Sequence, residues 1–437
     1  MRAKKYYWTL AVVYMAYLTH GIQAIILSQN KASFFTQWGY TDKTLGAAAV
    51  AAVISYTGLA KFLTVWICGE LSDKIGRKLM IVIGGCMYAV AFIGLYFTTS
   101  FAVACVCGFL LGAATSFYDG SCYPAAQESW TKSPSTALIL IKGFISISGI
   151  AYPLLVVGFT QAGNWKLGVI IPIIMSFVII ALALIAPYSY DEELKARKKD
   201  PAKKAEYEKQ MAENKHALDS DALKAEARFV QKPSKIVVIG CALYGFIAMA
   251  TMYSAQQFIS AFGKTYIGMQ DMAAASLTSI YTAGSLIAVV IWGVLMAKLR
   301  WRTLKILLID LIGSVIGYAI VVTIHVPAMV YLSTFLIGFF AAGGALQCGV
   351  SLMQEMHPGN KGRNLGIYYT FMGLASYIIP LIQKQLITGM GEAQASLTNL
   401  LINLVMALVG LAFMIVLTVN YKKWFGVSVL SQKAEDE

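Results

Sequence analysis

Charge is scarce in this sequence. Only 13% of the 437 residues are Asp, Glu, Lys or Arg, whereas 58% are hydrophobic. The charges are largely missing from a series of long runs, and the mean hydropathy of the chain is +0.65. A soluble globular protein does not carry such runs, because about 20 apolar residues suffice to cross the roughly 30 Å hydrocarbon core of a bilayer. The scarcity of charge therefore predicts a membrane protein.

Side chains that carry catalytic or metal chemistry are also few. There are four histidines, and His216, His325 and His357 lie in or beside predicted loops. The seven cysteines lie in or at the edges of apolar runs, and their spacing matches neither a zinc site nor a disulfide framework. We therefore expect no metal and no cofactor. A membrane-embedded enzyme is disfavoured, because it would need paired catalytic groups.

Twelve apolar runs are long enough to span a bilayer. We predict spans at 7–29, 45–68, 79–99, 101–125, 135–160, 166–187, 235–262, 272–296, 303–325, 327–353, 364–388 and 397–420. The first run is long enough to be a span and lacks the pattern of a cleaved signal peptide, so we expect it to be retained.

One long hydrophilic segment, 188–234, separates the runs into two sets of six. We predict a first half at 1–187, a second half at 235–420 and a tail at 421–437. Ala, Glu and Lys are abundant in the segment and favour helix, so we expect a solvated, partly helical tether. A regulatory or partner-binding role for this segment stays open.

The basic residues are distributed unevenly across the predicted membrane. Most of the 35 Lys and Arg lie on the side of the N-terminus. The loops of the opposite side hold only Lys31, Lys43, Lys166 and Lys264. The positive-inside rule then predicts that both termini are cytoplasmic in a plasma (cell inner) membrane protein. Because topology accounts for the net charge of +13, we expect no nucleic-acid partner. The expected surroundings are a lipid bilayer, and the expected state is a monomer.

A short charged loop separates the second and third runs. It reads GELSDKIGRK from Gly69 to Lys78. Gly69 and Gly76 allow the backbone to turn and to approach its neighbours. Lys74 and Arg77 would keep the turn on the cytoplasmic side. The order Gly-x-x-x-Asp-(Lys/Arg)-x-Gly-Arg-(Lys/Arg) resembles the loop signature between helices two and three of the major facilitator superfamily of transporters.

The resemblance implies an all-α membrane protein with twelve transmembrane helices in two pseudo-symmetric six-helix halves. An internal repeat is compatible with it, since Gln127-Glu128 recurs as Gln354-Glu355 and Pro153 recurs as Pro380 at the same interval. A parallel repeat of this kind implies a substrate site between the halves near the midplane. The second copy of the loop lacks the aspartate and carries Ala297 in its place. Gly108 stands where proton antiporters of the superfamily carry an arginine, which argues against a drug antiporter.

The resemblance also implies a set of gating residues. In superfamily members, acids at the ends of spans four and ten pair with arginines of the loops after spans two and eight. Here this implies a pair of Glu128 with Arg77, and a pair of Glu355 with Arg300 or Arg302. The implied gating residues are Gly69, Asp73, Gly76, Arg77, Glu128, Glu355 and Arg302.

Ionisable residues within the first six spans are candidate functional groups, because a charge inside a bilayer is costly. Asp119 in span four and Lys142 in span five are expected at similar depth and are predicted to pair, either structurally or functionally. Tyr17, His20 and Gln23 share one helical face in span one. We assign proton coupling to Asp119 and His20. We assign substrate binding to Lys142, Tyr17, His20 and Gln23.

Two further lysines within spans, Lys61 and Lys384, are expected to reach the interface with their long side chains. Asp310 in span nine is assigned to the basic loop nearby. The other polar positions of the second half are mostly neutral and could hydrogen-bond a small polar ligand. These candidate substrate-binding residues are Tyr253, Gln256, Gln257, Tyr281, Gln347 and Tyr368.

A cavity lysine suits an anionic substrate, and a titratable Asp or His suits coupling to protons. The sequence therefore predicts an alternating-access secondary transporter, a proton-coupled symporter of a small organic anion. The alternatives are an exporter or antiporter, and a carrier of a neutral solute such as a sugar.

Overall fold

The structure, a computed structural model, describes residues 4–130, 134–210, 213, 226–358 and 361–432. All regular secondary structure in these ranges is helical. A short 3-10 helix, Lys4–Tyr6, precedes the α-helices. The helices up to the hydrophilic segment are α1 Tyr7–Gln29, α2 Lys31–Gln37, α3 Lys43–Ile75, α4 Arg77–Phe97, α5 Phe101–Ser129, α6 Pro134–Gln161, α7 Leu167–Ile185 and α8 Ser189–Lys199. Those that follow it are α9 Lys235–Thr265, α10 Asp271–Lys298, α11 Thr303–Thr323, α12 Pro327–Gly343, α13 Ala345–Met356, α14 Lys361–Met390 and α15 Glu392–Phe425.

All twelve predicted spans correspond to long helices. Within the described ranges, eleven helical segments are long and apolar enough to cross a membrane, with α12 and α13 together forming one of them, Pro327–Met356. The remaining span corresponds to α14, whose 30 residues extend over about 45 Å at ~1.5 Å per residue. The prediction of an all-α protein with twelve transmembrane helices is confirmed.

Helix α3 is longer than its predicted span. Asp42 caps its N-terminus, because the Asp42 side chain accepts a hydrogen bond from the Leu45 amide at 2.9 Å. The helix then continues for 33 residues to Ile75. Most of the charged loop is therefore helix, and the turn is confined to Gly76, whose φ of 101° favours glycine. The prediction that Gly69 also shapes the turn is wrong, because Gly69 lies inside α3.

The chain forms two compact units. The first contains the residues up to Glu208 together with Tyr377–Glu392, a range that includes the second part of α14. The second contains Lys209–Ser376 and Ala393–Glu437. In the first unit, α5 packs along α3 and α4, whereas α6 packs on α1. In the second unit, α12 packs along α10 and α11. The proposed halves 1–187 and 235–420 remain an interpretation of the sequence.

Small residues allow these helices to approach one another. A Cβ atom on Gly112 of α5 would lie 2.0 Å from the Thr57 carbonyl oxygen of α3. A Cβ atom on Gly338 of α12 would lie 2.1 Å from the Tyr281 carbonyl oxygen of α10. Because lipid supplies no hydrophobic force between helices, such close backbone contact is a main source of packing energy within a membrane.

Substitution of Gly112 tests the α3–α5 contact. Gly112→Ala should lower the melting temperature of the purified protein, because overpacking against a rigid backbone costs about 1–3 kcal/mol. Gly158→Ala is the matched control, since no atom lies within 4 Å of the added methyl group. The control should be neutral or slightly stabilising, because Ala favours helix by roughly 1 kcal/mol. Equal melting temperatures for the two variants would contradict the close contact.

Candidate functional site

A polar cluster lies inside the helices of the first unit. Tyr17, His20 and Gln23 recur at intervals of three residues and share a face of α1. Thr115 and Asp119 are one turn apart on α5 and face α1 through hydrogen bonds. The structure thus brings the predicted α1 side chains and Asp119 into one cluster, a grouping that the sequence analysis did not predict.

Asp119 lies between a tyrosine and a lysine. The Tyr17 hydroxyl donates to Asp119 Oδ1 at 2.9 Å, and Lys61 Nζ of α3 is 3.2 Å from Asp119 Oδ2. The predicted pair with Lys142 is therefore wrong, and so is the prediction that Lys61 reaches the interface. The reason is the packing order, since α5 lies along α3 whereas Lys142 is carried on α6, which packs on α1.

A second chain of contacts leads away from His20. His20 Nδ1 is 3.2 Å from the Tyr88 hydroxyl of α4, and that hydroxyl is 2.8 Å from Thr115 Oγ1. Thr115 in turn donates to Gln23 Oε1 at 3.2 Å. Tyr88 was missed by the sequence analysis, although a fully buried tyrosine hydroxyl needs a polar partner. A lone tyrosine in an apolar run gave no other signal.

Lys142 differs from Lys61 in its surroundings. Its side chain is half-buried, and in the described ranges its ammonium group forms no ion pair or hydrogen bond. Asp119, Lys61 and Lys142 all lie close enough to the His20 ring to act on it electrostatically. The cluster thus contains two lysine side chains and one aspartic acid.

A second cluster surrounds Arg77, the first residue of α4, next to the end of α3. The buried guanidinium is 2.7 Å from Asp73 Oδ1 and 3.0 Å from Glu128 Oε1 of α5. It also donates to Ser72 Oγ at 2.8 Å. The predicted pair of Arg77 with Glu128 is confirmed, and the additional contact with Asp73 completes a cluster that joins α3, α4 and α5.

Helix α8 of the hydrophilic segment packs directly on this cluster. Asp191 accepts a hydrogen bond from the Arg77 amide at 2.9 Å, beside the glycine turn at Gly76. The Tyr190 ring lies over the Arg77 guanidinium at 4.0 Å, and its hydroxyl donates to the Asp73 carbonyl oxygen at 2.8 Å. The prediction of a solvated tether is therefore wrong for α8. Burial raises the pKa of Asp191, although the Lys78 and Arg77 amides oppose the shift.

The chain near the N-terminus holds α8 from its other side. The Tyr6 hydroxyl donates to Glu192 Oε2 at 2.6 Å, and Lys5 Nζ lies 2.9 Å from Glu192 Oε1. These hydrogen bonds, that of Tyr6 first, lower the pKa of Glu192 from its ordinary 4.5. The contact is therefore complete above about pH 4.5 and weakens as the pH falls through the lowered pKa.

The corresponding cluster of the second unit is built differently. The carboxylate of Glu355 accepts a hydrogen bond from the Tyr421 hydroxyl of α15, and Arg302 Nη1 is 3.3 Å from that hydroxyl. Arg302 thus reaches Glu355 through Tyr421. This contact differs from the predicted direct pair of Glu355 with Arg302, because both groups share the Tyr421 hydroxyl as a hydrogen-bond partner.

The neutral candidates of the second unit differ in their exposure. Tyr253 and Gln256 of α9 are half-buried, Gln257 is buried, and Gln347 is exposed. Tyr281 is buried, and its hydroxyl donates to the Met252 carbonyl oxygen at 2.8 Å, which is a contact between helices. The sequence analysis missed a buried amide cluster, in which Asn403 Nδ2 donates to Ser254 Oγ at 2.8 Å and to Asn399 Oδ1 at 2.8 Å.

Comparison with known proteins identifies the family. The Major Facilitator Superfamily model matches residues 9–380 and 241–426. The chain belongs to the Major Facilitator Superfamily. This superfamily member is 33% identical over 385 residues to the inner membrane transport protein YdiM of Escherichia coli K12, covering 87% of each chain. It is 28% identical over 420 residues to the uncharacterized MFS-type transporter YfkL of Bacillus subtilis 168, covering 96% of this chain and 98% of the relative.

The fold agrees with a solved transporter of the superfamily. The crystal structure of a D-xylose-proton symporter aligns with a TM-score of 0.68 at 14% identity, over 93% of this chain and 97% of that one. This superfamily member is a multi-pass membrane protein and a secondary transporter of a small molecule, and it is not an enzyme. The sequence-based predictions of the superfamily and of a secondary transporter are confirmed.

Removal of the Asp191 acceptor should loosen the turn at Gly76. Asp191→Ala should speed hydrogen exchange of the Arg77 and Lys78 amides about 5- to 10-fold, because a lost hydrogen bond costs about 1–1.4 kcal/mol. Asp191→Asn keeps an acceptor oxygen and should exchange nearly as the parent protein does. Asp200→Ala is the control, since Asp200 accepts only locally, from the Ala202 amide. Equal exchange in the Asp191→Ala and control variants would show that α8 does not hold the turn.

Proposed function

We propose that the protein is a proton-coupled symporter of a small organic anion, and that the anion binds at the polar cluster of the first unit. The observation that carries this proposal is the charge imbalance of the cluster. Lys61 is paired with Asp119, whereas Lys142 has no carboxylate within ion-pair distance in the described ranges. A substrate carboxylate would supply the missing negative charge.

Proton coupling follows from the shared use of Lys61. In the absence of substrate, Lys61 neutralises Asp119. When Asp119 takes up a proton, it no longer holds Lys61, and both ammonium groups can then face the anion. Loss of the substrate leaves two cations near His20, a costly arrangement that draws the proton off Asp119 again. One proton would thus accompany each anion.

The chain of neutral groups favours a second candidate. Tyr88, Thr115 and Gln23 present hydroxyl and amide groups next to His20, which suits a polyol or a sugar. The structural neighbour is named as a D-xylose-proton symporter, which agrees with this alternative. The excess positive charge favours the anion.

We further propose that the Arg77 cluster acts as a gate. It would stabilise a state closed on the side of the chain termini, because its ion pairs join the ends of α3, α4 and α5. The distribution of basic residues supports cytoplasmic termini, and the similarity to inner membrane transport proteins of E. coli supports the inner membrane. We propose a monomer as the working unit.

The test separates binding from coupling. A thermal-shift screen of carboxylates and sugars on the purified full chain would first identify a stabilising solute. Lys142→Ala should weaken binding of a carboxylate about 10- to 100-fold, because a hydrogen bond to a charged group contributes about 1.5–3 kcal/mol. Lys166→Ala, which removes a lysine stacked on Tyr96 outside the cluster, should bind normally. Stabilisation by sugars alone would support the second candidate.

Coupling is measured in vesicles with the solute so identified. Asp119→Asn, which resembles the protonated acid, should retain counterflow exchange and lose uphill uptake driven by a proton gradient. Both measurements use the same vesicle preparation, so that the amount of inserted protein cancels. Uphill uptake at the parental rate would exclude Asp119 as the coupling group.

A further inference from the structure

A buried carboxyl group lies in the middle of the second unit, far in sequence from the polar cluster. Asp310 of α11 is fully buried. Neither carboxyl oxygen has a hydrogen-bond partner in the described ranges. The assignment of Asp310 to the basic loop nearby is wrong, since it forms no ion pair with any described Lys or Arg.

The carboxyl faces a break in a membrane span. Helix α12 ends at Gly343 and α13 begins at Ala345, so Gly344 interrupts the tenth span. A Cβ atom on Gly344 would lie 2.7 Å from Asp310 Oδ2 and 2.7 Å from Trp292 Cδ1. Only a glycine therefore allows the carboxyl, the indole and the broken helix to meet.

The groups around Asp310 are polar but uncharged. The Trp292 indole N–H lies beside the carboxyl and acts on it, although outside hydrogen-bond geometry. The hydroxyls of Tyr244 and Tyr368 lack hydrogen-bond partners among the described residues. The other titratable groups of the same core cluster are the Cys241 thiol of α9, the Cys348 thiol of α13 and the Tyr421 hydroxyl of α15. No Lys or Arg of the described residues acts on the carboxyl from α9, α10, α12, α13 or α14.

The cost of desolvation and the contribution of the helix dipole together decide whether the Asp310 carboxyl is ionised. Withdrawal of a carboxylate from water without a partner costs several kcal/mol even after relaxation. The N-terminus of α13 can return at most about 2 kcal/mol to an anion placed there. The neutral, protonated acid is therefore the stable form in this conformation.

We propose that Asp310 is a proton-binding site of the second unit and carries a proton in this conformation. The site is separate from Asp119 in sequence and in its helices, and it does not depend on the nature of the substrate. The break at Gly344 is the place where a rearrangement of α12 and α13 would admit water to the carboxyl and release its proton.

Infrared spectroscopy of the full chain in lipid nanodiscs tests the site. The difference between the parent protein and Asp310→Asn should contain the carbonyl band of one protonated carboxyl at about pH 7, three units above the ordinary Asp pKa of about 4. Asp271→Asn is the matched control, because Asp271 is exposed and lies 2.6 Å from Lys264 Nζ. The control should remove no such band. Absence of the band in the Asp310 difference would overturn the proposal.

Two additional arms keep the test decisive. Addition of Na⁺ at fixed pH should leave the band unchanged, whereas its loss would show a metal-cation site in place of a proton site. If Asp310→Asn does not fold, the fluorescence that Trp292 contributes, measured as the difference from Trp292→Phe, should stay constant between about pH 5 and pH 8. A titration step in that range would contradict a carboxyl that stays protonated. The band should persist in Asp119→Asn, so failure of the transport proposal leaves this result interpretable.

Discussion

An ionisable side chain that is removed from water must either pair with an opposite charge or become neutral, and the buried charges of both units follow this constraint. Arg77 forms ion pairs with two carboxylates and lies against an aromatic ring, and Lys61 forms an ion pair with Asp119. Asp310 has no cation and is best accommodated as the neutral acid. Lys142 is the exception, since no described carboxylate pairs with it, and our proposal for the substrate rests on this exception.

The sequence predicted those features that depend on local pattern. The apolar runs marked the twelve spans because hydrocarbon thickness dictates their length. The family resemblance led to the pair of Arg77 with Glu128, since such a resemblance carries three-dimensional information that spacing lacks. Helix ends were less predictable, as α3 shows by continuing to Ile75 through most of the charged loop.

Partners across helices could not be predicted, because they depend on which faces pack together. Asp119 and Lys142 have matching depth in the sequence, yet α5 lies along α3 and brings Lys61 to the carboxylate. Tyr421 is 66 positions from Glu355 and gave no signal of a contact. The docking of α8 was missed for a related reason: a polar, lysine-rich composition describes solvation on average and says nothing of two side chains, Tyr190 and Asp191, that face the protein.

The two units surround the arginine of the corresponding loop, Arg77 or Arg302, with different partners. In the first, the loop arginine is covered by the segment that follows the last span, through Tyr190 and Asp191 of α8. In the second, Arg302 donates to the carbonyl oxygens of Ser431 and Gln432, again in the segment that follows the last span. Ala297 replaces the loop aspartate there, so backbone carbonyls and a tyrosine take over part of the role that carboxylates have in the first unit. A carboxylate binds a guanidinium more strongly than a neutral acceptor does. The described contacts of Arg77 are therefore of the stronger kind, and they hold the ends of three helices of the first unit together.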